Sequence, residues 1–315
     1  MGRGSKDVLI VLTGPTAVGK TGLAIGLAEA LGCEIISADS RQVYREMSIG
    51  TAAPTEAEMA RARHHLVRCR SVAQPMNAFD YEQAAMSLLP GVFARGGGRA
   101  ILTGGSMMYV DAVVKGIDEM PDIPAALRDQ LKDELERDGL AAMQQRLRSL
   151  DPDYFASCDI MNPRRVLHAI ELCTVSGGPV SALRRGTIKE RPFDVVKLAA
   201  TRSREELYGR IDRRVDQMMA DGLEEEVRSL TRFSSLTPLN TVGYREMFAY
   251  LRGEYGKDEA IRLIKRNTRH YAKKQLTWIK ADGSYIEVSP DDMAGTQEKI
   301  LQILDSGFGN TGTDV

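Results

Sequence analysis

Gly14-Pro15-Thr16-Ala17-Val18-Gly19-Lys20-Thr21 stands between an apolar run, Val8-Leu9-Ile10-Val11-Leu12, and an alanine- and leucine-rich stretch from Leu23 to Leu31. The eight residues follow the spacing of a phosphate-binding loop: glycine, four residues, glycine, lysine, then serine or threonine. Glycines let the backbone curl so that several N–H groups point inward, and the following helix adds its positive N-terminal end. Lys20 would reach the outer phosphates, and the Thr21 hydroxyl would hold a magnesium ion. Strand, loop and helix occur in the order the motif requires. The stretch therefore predicts a polyphosphate or diphosphate site rather than a chance glycine-rich turn.

The second strand extends this reading. Cys33-Glu34-Ile35-Ile36-Ser37-Ala38 is a short strand pattern ending in Asp39-Ser40-Arg41-Gln42. Strand, helix, strand implies a parallel sheet with ligands at the carboxyl ends of its strands, so Asp39 to Gln42 should share a rim with the loop. A third strand, Arg99 to Thr103, ends in Gly104-Gly105-Ser106 and brings small polar groups to the same rim. It lacks the acidic residue that a hydrolytic motor uses for its magnesium and water, which lowers the ATPase reading. Charged helices are expected over Thr55 to Arg70 and over Tyr81 to Ala94.

Composition changes in the middle of the 315 residues. From about Glu119 to Arg191 the strand signals vanish, Leu127 to Leu150 is helically periodic, and Pro121, Pro124, Pro152, Pro163 and Pro179 punctuate the segment. The expected fold class is α/β: a P-loop NTPase-like parallel sheet flanked by helices, with a helical insertion domain. Residues 1–118 and 192–315 would form the core domain with basic C-terminal helices, and 119–191 the insertion. The sheet resumes at Asp194 to Ala200. Helical stretches follow over Arg204 to Asp221 and, acidic on its exposed face, over Gly222 to Leu230. A glycine-rich tail after Asp305 is expected to be disordered.

A net charge of −1 excludes a basic protein overall but not a local basic face. With 43% hydrophobic and 27% charged residues, the composition is that of an ordinary globular protein. No apolar stretch approaches the roughly 20 residues that span a bilayer, and no signal peptide opens the chain, so no membrane association and a cytoplasmic setting are expected. Cys33, Cys69, Cys158 and Cys173 have no metal-ligand spacing and read as buried thiols; no zinc is assigned. Met107-Met108 and Met218-Met219 read as core fillers.

Three constellations carry further chemistry. Ile261 to Lys280 holds Arg262, Lys265, Arg266, Arg269, Lys273, Lys274 and Lys280 with no acidic residue, and His270, Tyr271 and Trp278 are interleaved. Such a helix suits a phosphate backbone, with rings for stacking, or is simply a solvated helix packed by its apolar side. Asp39 is either a turn residue or, facing the loop, a general base or acceptor-binding residue. Arg210 and Arg214 lie one helical turn apart and could both reach a diphosphate, or else form a salt-bridge ladder with Glu206, Asp212 and Asp216.

Seven stretches together resemble the tRNA dimethylallyltransferase (tRNA isopentenyltransferase) family, of bacterial type. They are the loop, Ile35 to Tyr44, Ile49 to Ala52, Thr103 to Ser106, Arg165 to Glu171, Thr241 to Arg245 and Tyr271 to Trp278, within a similarity from about Val8 to Ile286. The resemblance implies transfer of a dimethylallyl group from dimethylallyl diphosphate to N6 of the adenosine just 3′ of the anticodon. The loop, Gly14, Pro15, Thr16, Ala17, Val18, Gly19, Lys20 and Thr21, would hold the diphosphate with Arg214, Mg2+ would sit on Thr21, and Asp39, Thr16 and Arg214 would be catalytic. The tRNA would meet Asp39, Ser40, Arg41, Gln42, Ser106, Arg164, Arg165, Arg245, Lys273 and Lys274. The flipped base would enter a channel lined by Ser40, Gln42 and Ser106. No obligate protein partner is expected, and a monomer is. The chain departs from the family pattern at Ser106, where threonine is usual, at Arg164, where glutamine is common, and at His168, where arginine is common. Two other enzymes, a P-loop small-molecule kinase and a prenyltransferase acting on free adenine nucleotides, share part of this pattern, as does a nucleotide-gated RNA-binding protein without catalysis. The basic aromatic helix sets the RNA reading apart from the kinase, and the insertion together with that helix sets it apart from the free-nucleotide enzyme.

Overall fold

Five consecutive apolar residues suit a strand covered on both faces, as in the interior of a parallel sheet. The computed structural model describes residues 6–184, 186 and 188–306 and places Val8 to Leu12 in such a strand, β1 (Asp7–Thr13). The glycine-rich tail after Asp305 falls, beyond residue 306, outside the described residues, as do residues 1–5. With β2 (Glu34–Ser37), β3 (His64–His65), β4 (Arg99–Thr103), β5 (Phe193–Ala200) and β6 (Ile286–Val288), β1 forms one six-stranded sheet of order β3-β2-β4-β1-β5-β6. Every pair is parallel. Leu9 lies opposite Ala100 on one side and Val195 on the other.

Alternation along β1 divides the core into two layers. Val8, Ile10 and Leu12 pack with Leu23, Ile25 and Leu27 of α1 (Lys20–Leu31), while Leu9 and Val11 pack with Ile36, Leu102 and Tyr81. Truncating one of these leucines or isoleucines to alanine costs about 2–5 kcal/mol. α1 stops at Gly32, whose left-handed backbone (φ 63°) lets its N–H return to the Ala28 carbonyl.

β2 does not pair with β1, because β4 lies between them, and β5 takes the other edge of β1. The strand order therefore reverses beside β1, and the carboxyl ends there flank a crevice. The helices that follow the strands are α2 (Glu56–Arg61), α3 (Ala78–Arg95) and α4 (Met107–Val114).

Chain contacts divide the molecule into two units: residues up to Lys115 and from Glu190 onward, and Gly116–Lys189, against the 119–191 expected for the insertion. The second unit is helical, with α5 (Ala125–Leu150, broken at Gly139, φ 79°), α6 (Pro152–Ser157), α7 (Pro163–Ser176) and α8 (Val180–Leu183) around Leu131, Leu147, Val166 and Ile170. The first unit continues after β5 with α9 (Arg204–Ala220), α10 (Leu223–Ser229), α11 (Tyr244–Leu251), α12 (Lys257–Asp282) and, after β6, α13 (Met293–Ser306).

Four expectations need correction. The helix expected over Thr55 to Arg70 ends at Arg61; Ala62 is extended, His64 and His65 pair with Ile35 and Ile36, and Leu66 and Arg68 have positive φ. Met108 is not a core filler but 66% exposed, and Cys69 is exposed rather than buried. Glu226 does not belong to an exposed acidic face: it turns inward and accepts from three backbone N–H groups, as described below.

Candidate active site

The loop between β1 and α1 takes a conformation that side chains resist. Gly14 has φ 152°, Gly19 has φ 111°, and Ala17 sits at φ 66° despite its Cβ. A Cβ on Gly14 would lie 2.6 Å from the Ala200 carbonyl oxygen of β5, so that position must be glycine. Three arginines from the β5–α9 segment hold the loop's carbonyls and hydroxyl. Arg202 Nε donates to Val18 O at 2.7 Å, Arg210 Nε to Ala17 O at 2.8 Å, and Arg214 reaches Thr16 Oγ1 at 3.5 Å. The alternative salt-bridge ladder along α9 does not form. Asp212 pairs with Arg269, Asp216 with Lys265, and Glu206 with Arg202, leaving Arg210 and Arg214 to the loop.

Lys20 Nζ donates to Gly14 O and Pro15 O, both at 2.8 Å. Burial, with the positive charge of Arg214 second, lowers its pKa to about 7, and the Asp39 carboxylate works the other way. Burial likewise lowers Arg214, with Arg210 adding to the effect. Concentrated positive charge in a low-dielectric site favours an anion.

Opposite, at the end of β2, Asp39 satisfies both readings of its role. Its Oδ1 accepts from Arg41 N at 2.9 Å and Gln42 N at 3.3 Å, a turn cap, while Oδ2 has no protein donor among the described residues. Ser106 Oγ accepts from Ser40 N at 2.7 Å and bonds Ser40 Oγ at 2.9 Å, joining the ends of β2 and β4. The Gln42 amide braces the next loop by donating to Thr51 O and Ala52 O. That loop is also held by Glu226, whose carboxylate accepts from the N–H groups of Ser48, Ile49 and Gly50 at 2.7–2.9 Å and from Tyr244 Oη at 2.6 Å.

Two cavities meet here. One of about 790 Å³ is lined by Thr16, Lys20, Thr21, Asp39, Arg210 and Arg214 among others. A second, of about 290 Å³, is lined by Ser40, Arg41, Ser106, Val242 and Ile264. Thr16, Asp39, Arg214 and Tyr271 line both. Gln42 lines only the larger one, so it is not in the wall shared by Ser40 and Ser106.

Arg245, Lys273 and Lys274 line neither of these cavities. Arg245 is in the first turn of α11, half exposed, with its guanidinium 3.7 Å from Glu246. Lys273 and Lys274 are on the exposed side of α12. Arg164 and Arg165 are exposed in the first turn of α7, within the helical unit. Part of the basic character of α12 is neutralised: Arg262, Lys265 and Arg269 each pair with a carboxylate.

Sequence reasoning passed over Gln275. It is 2% exposed, its Oε1 accepts the Thr16 N–H at 2.8 Å, and its Nε2 donates to Gly105 O at 2.9 Å. Tyr271, one turn earlier, donates to the same Gly105 oxygen at 3.1 Å. The signal was available: Ala260, Ile264, Ala272, Gln275 and Ile279 are the buried positions of α12, and one of them is polar. Arg202 and Glu226 were also missed, and only the tertiary structure brings them to their carbonyl and amide partners.

The family model of IPP transferases matches residues 42–282. A protein of Bacteroides thetaiotaomicron called tRNA dimethylallyltransferase 1 is 50% identical over 274 residues, 87% of this chain and 89% of that one. Among solved structures, a tRNA isopentenylpyrophosphate transferase from Bacillus halodurans is 33% identical with a TM-score of 0.71, covering 96% of this chain and 98% of its own. A eukaryotic dimethylallyltransferase acting on tRNA is 25% identical with a TM-score of 0.75, covering 93% and 78%.

Proposed function

The chain belongs to the IPP transferase family, and on that premise we propose how its residues carry out the family's reaction. It is a tRNA-modifying prenyltransferase: it transfers a dimethylallyl group from dimethylallyl diphosphate to N6 of the adenosine immediately 3′ of the anticodon and releases diphosphate. The observation that supports the residue assignment is the shared wall of the two cavities, which Asp39 lines together with Thr16 and Arg214.

The donor's diphosphate rests in the larger cavity on the loop amides and the α1 N-terminus. Lys20 and Arg214 neutralise the charge that grows on the leaving group as the bond from carbon to oxygen breaks. Thr16, bonded to Arg214, keeps that guanidinium on the leaving group's side. Thr21 lines the cavity, and its hydroxyl has no protein partner among the described residues, which suits a hard cation that takes its other ligands from phosphate and water. Mg2+ held there would supply Lewis-acid stabilisation of the departing diphosphate. No group of three or more His, Cys, Asp or Glu that could hold a metal by itself occurs among the described residues.

The adenine amine is a weak nucleophile, so position matters more than basicity. The flipped base enters the smaller chamber beside Ser40, Ser106 and Tyr271. The new bond joins N6 to the allylic carbon, and Asp39 Oδ2 takes the proton that N6 loses. Oδ1 stays bound to the Arg41 and Gln42 amides, so the carboxylate is held in place while one oxygen works. Arg41, Arg245, Lys273 and Lys274 meet the RNA backbone, and Arg164 and Arg165 of the helical unit hold the anticodon stem-loop. Among the described residues no helix is long and apolar enough to cross a membrane. We place the protein in the cytoplasm with its tRNA, as a monomer.

Incubating the protein with dimethylallyl diphosphate and, in parallel, AMP or an anticodon stem-loop tests the acceptor. Prenylation of the stem-loop alone is expected, and prenylation of AMP alone would contradict it.

A further inference from the structure

The loop commits some of its amides to the protein itself. Thr16 N–H is bonded to Gln275, Val18 N–H to Pro15 O at 3.3 Å, and Pro15 has no N–H. Among the described residues, the amides of Ala17, Gly19, Lys20 and Thr21 have no such acceptor. The last three are at the helix end, where an anion is anchored. Thr16 is at the opposite end of the loop, in the wall shared by the two cavities. The Gln275 amide is held at both ends, by a donor on Oε1 and an acceptor on Nε2, which fixes its orientation.

We infer that Gln275 makes this loop selective for diphosphates against triphosphates. A phosphate chain anchored on Gly19 to Thr21 runs along the loop toward Thr16. Its second phosphoryl group has Lys20 and Arg214. A third, at the Thr16 end of the loop, keeps at most the Ala17 amide and meets the Gln275 carbonyl oxygen where the Thr16 amide would have served it, an acceptor facing an acceptor. The inference rests on the reading of the loop as a diphosphate holder and adds the residue that enforces it.

Isothermal titration of the full chain at fixed magnesium, with inorganic diphosphate and with tripolyphosphate, reads the ratio of their dissociation constants. In the unaltered protein tripolyphosphate should bind about tenfold more weakly, the scale of one charge-assisted hydrogen bond. Gln275→Ala frees the Thr16 amide and should shrink that ratio by about tenfold. Gln275→Glu keeps an acceptor on Thr16 and adds negative charge, so the ratio should hold or widen. An unchanged ratio in Gln275→Ala, with both anions weakened alike, marks a purely structural brace and overturns the inference. So does a narrower ratio in Gln275→Glu, which decides alone should Gln275→Ala not fold. Dimethylallyl transfer to tRNA, measured on the unaltered protein, separates the two levels: without it the functional reading falls, whatever the ratio.

Discussion

The Arg214 guanidinium and the Lys20 ammonium line one cavity, and burial together with that neighbouring charge brings Lys20 from its ordinary 10.5 to about 7. Two cations desolvated side by side repel each other, and an incoming diphosphate relieves that repulsion while the leaving group forms.

The sign of the pH dependence follows. Between about pH 7 and 10.5 the unfolded chain holds a proton on Lys20 that the folded, ligand-free protein has lost, so this group's contribution to stability rises with pH across that window. Diphosphate favours the charged form, so binding above pH 7 should take up a proton. Titration calorimetry at pH 8 in two buffers of different ionisation heat measures it. The uptake should be larger in the unaltered protein than in Lys20→Met by nearly one proton; equal uptake in both would refute the account of Lys20.

Asp39→Asn separates the two uses of that side chain. The amide oxygen still accepts from the Arg41 and Gln42 N–H groups, but the group no longer takes a proton. Turnover should fall by about 10²–10⁴, the usual worth of a general base, with tRNA affinity retained. Single-turnover rates and filter binding on one preparation check both, and near-normal turnover would remove Asp39 as the base.

Glu226→Ala should be among the more damaging changes outside the cavities. It leaves three backbone N–H groups and the Tyr244 hydroxyl without their acceptor, at a cost of about 3 kcal/mol or more. Thermal unfolding should show a lower midpoint, and Glu226→Gln, which turns a donor toward donors, should not restore it.

Much of this site was legible because it is written in consecutive residues. The loop, the Asp39 to Gln42 stretch and the Gly104-Gly105 turn each follow a strand, and a parallel sheet brings strand ends to one rim. What escaped depends on residues far apart in the chain. Gln275 meets Thr16 across 259 positions, and Arg202 meets Val18 across 184. The short strand β3 was hidden because Thr55 to Arg70 has a helical composition, while its pairing partner, β2, lies about thirty positions earlier. Arg210 and Arg214 looked equally suited to a ladder, and it is the packing of α9 against α12 that gave Asp212 and Asp216 other partners, while Glu206 pairs with Arg202.

Lys273→Ala with Lys274→Ala addresses the RNA face of α12. Both side chains are exposed and line neither cavity. The double change should weaken tRNA binding and flatten its salt dependence by roughly 0.7–0.9 in log–log slope per lost phosphate contact. Affinity for inorganic diphosphate should not move. A salt slope equal to that of the unaltered protein would place the RNA elsewhere.

Prenyl transfer to RNA from a diphosphate donor held by the loop is the reaction on which every other assignment depends. Mass spectrometry of unmodified tRNA incubated with the protein, magnesium and dimethylallyl diphosphate tests it most directly. A gain of one dimethylallyl group on the nucleoside 3′ of the anticodon is expected, with diphosphate released in equal amount. An unchanged tRNA mass, alongside stoichiometric consumption of ATP with a small acceptor, would contradict it.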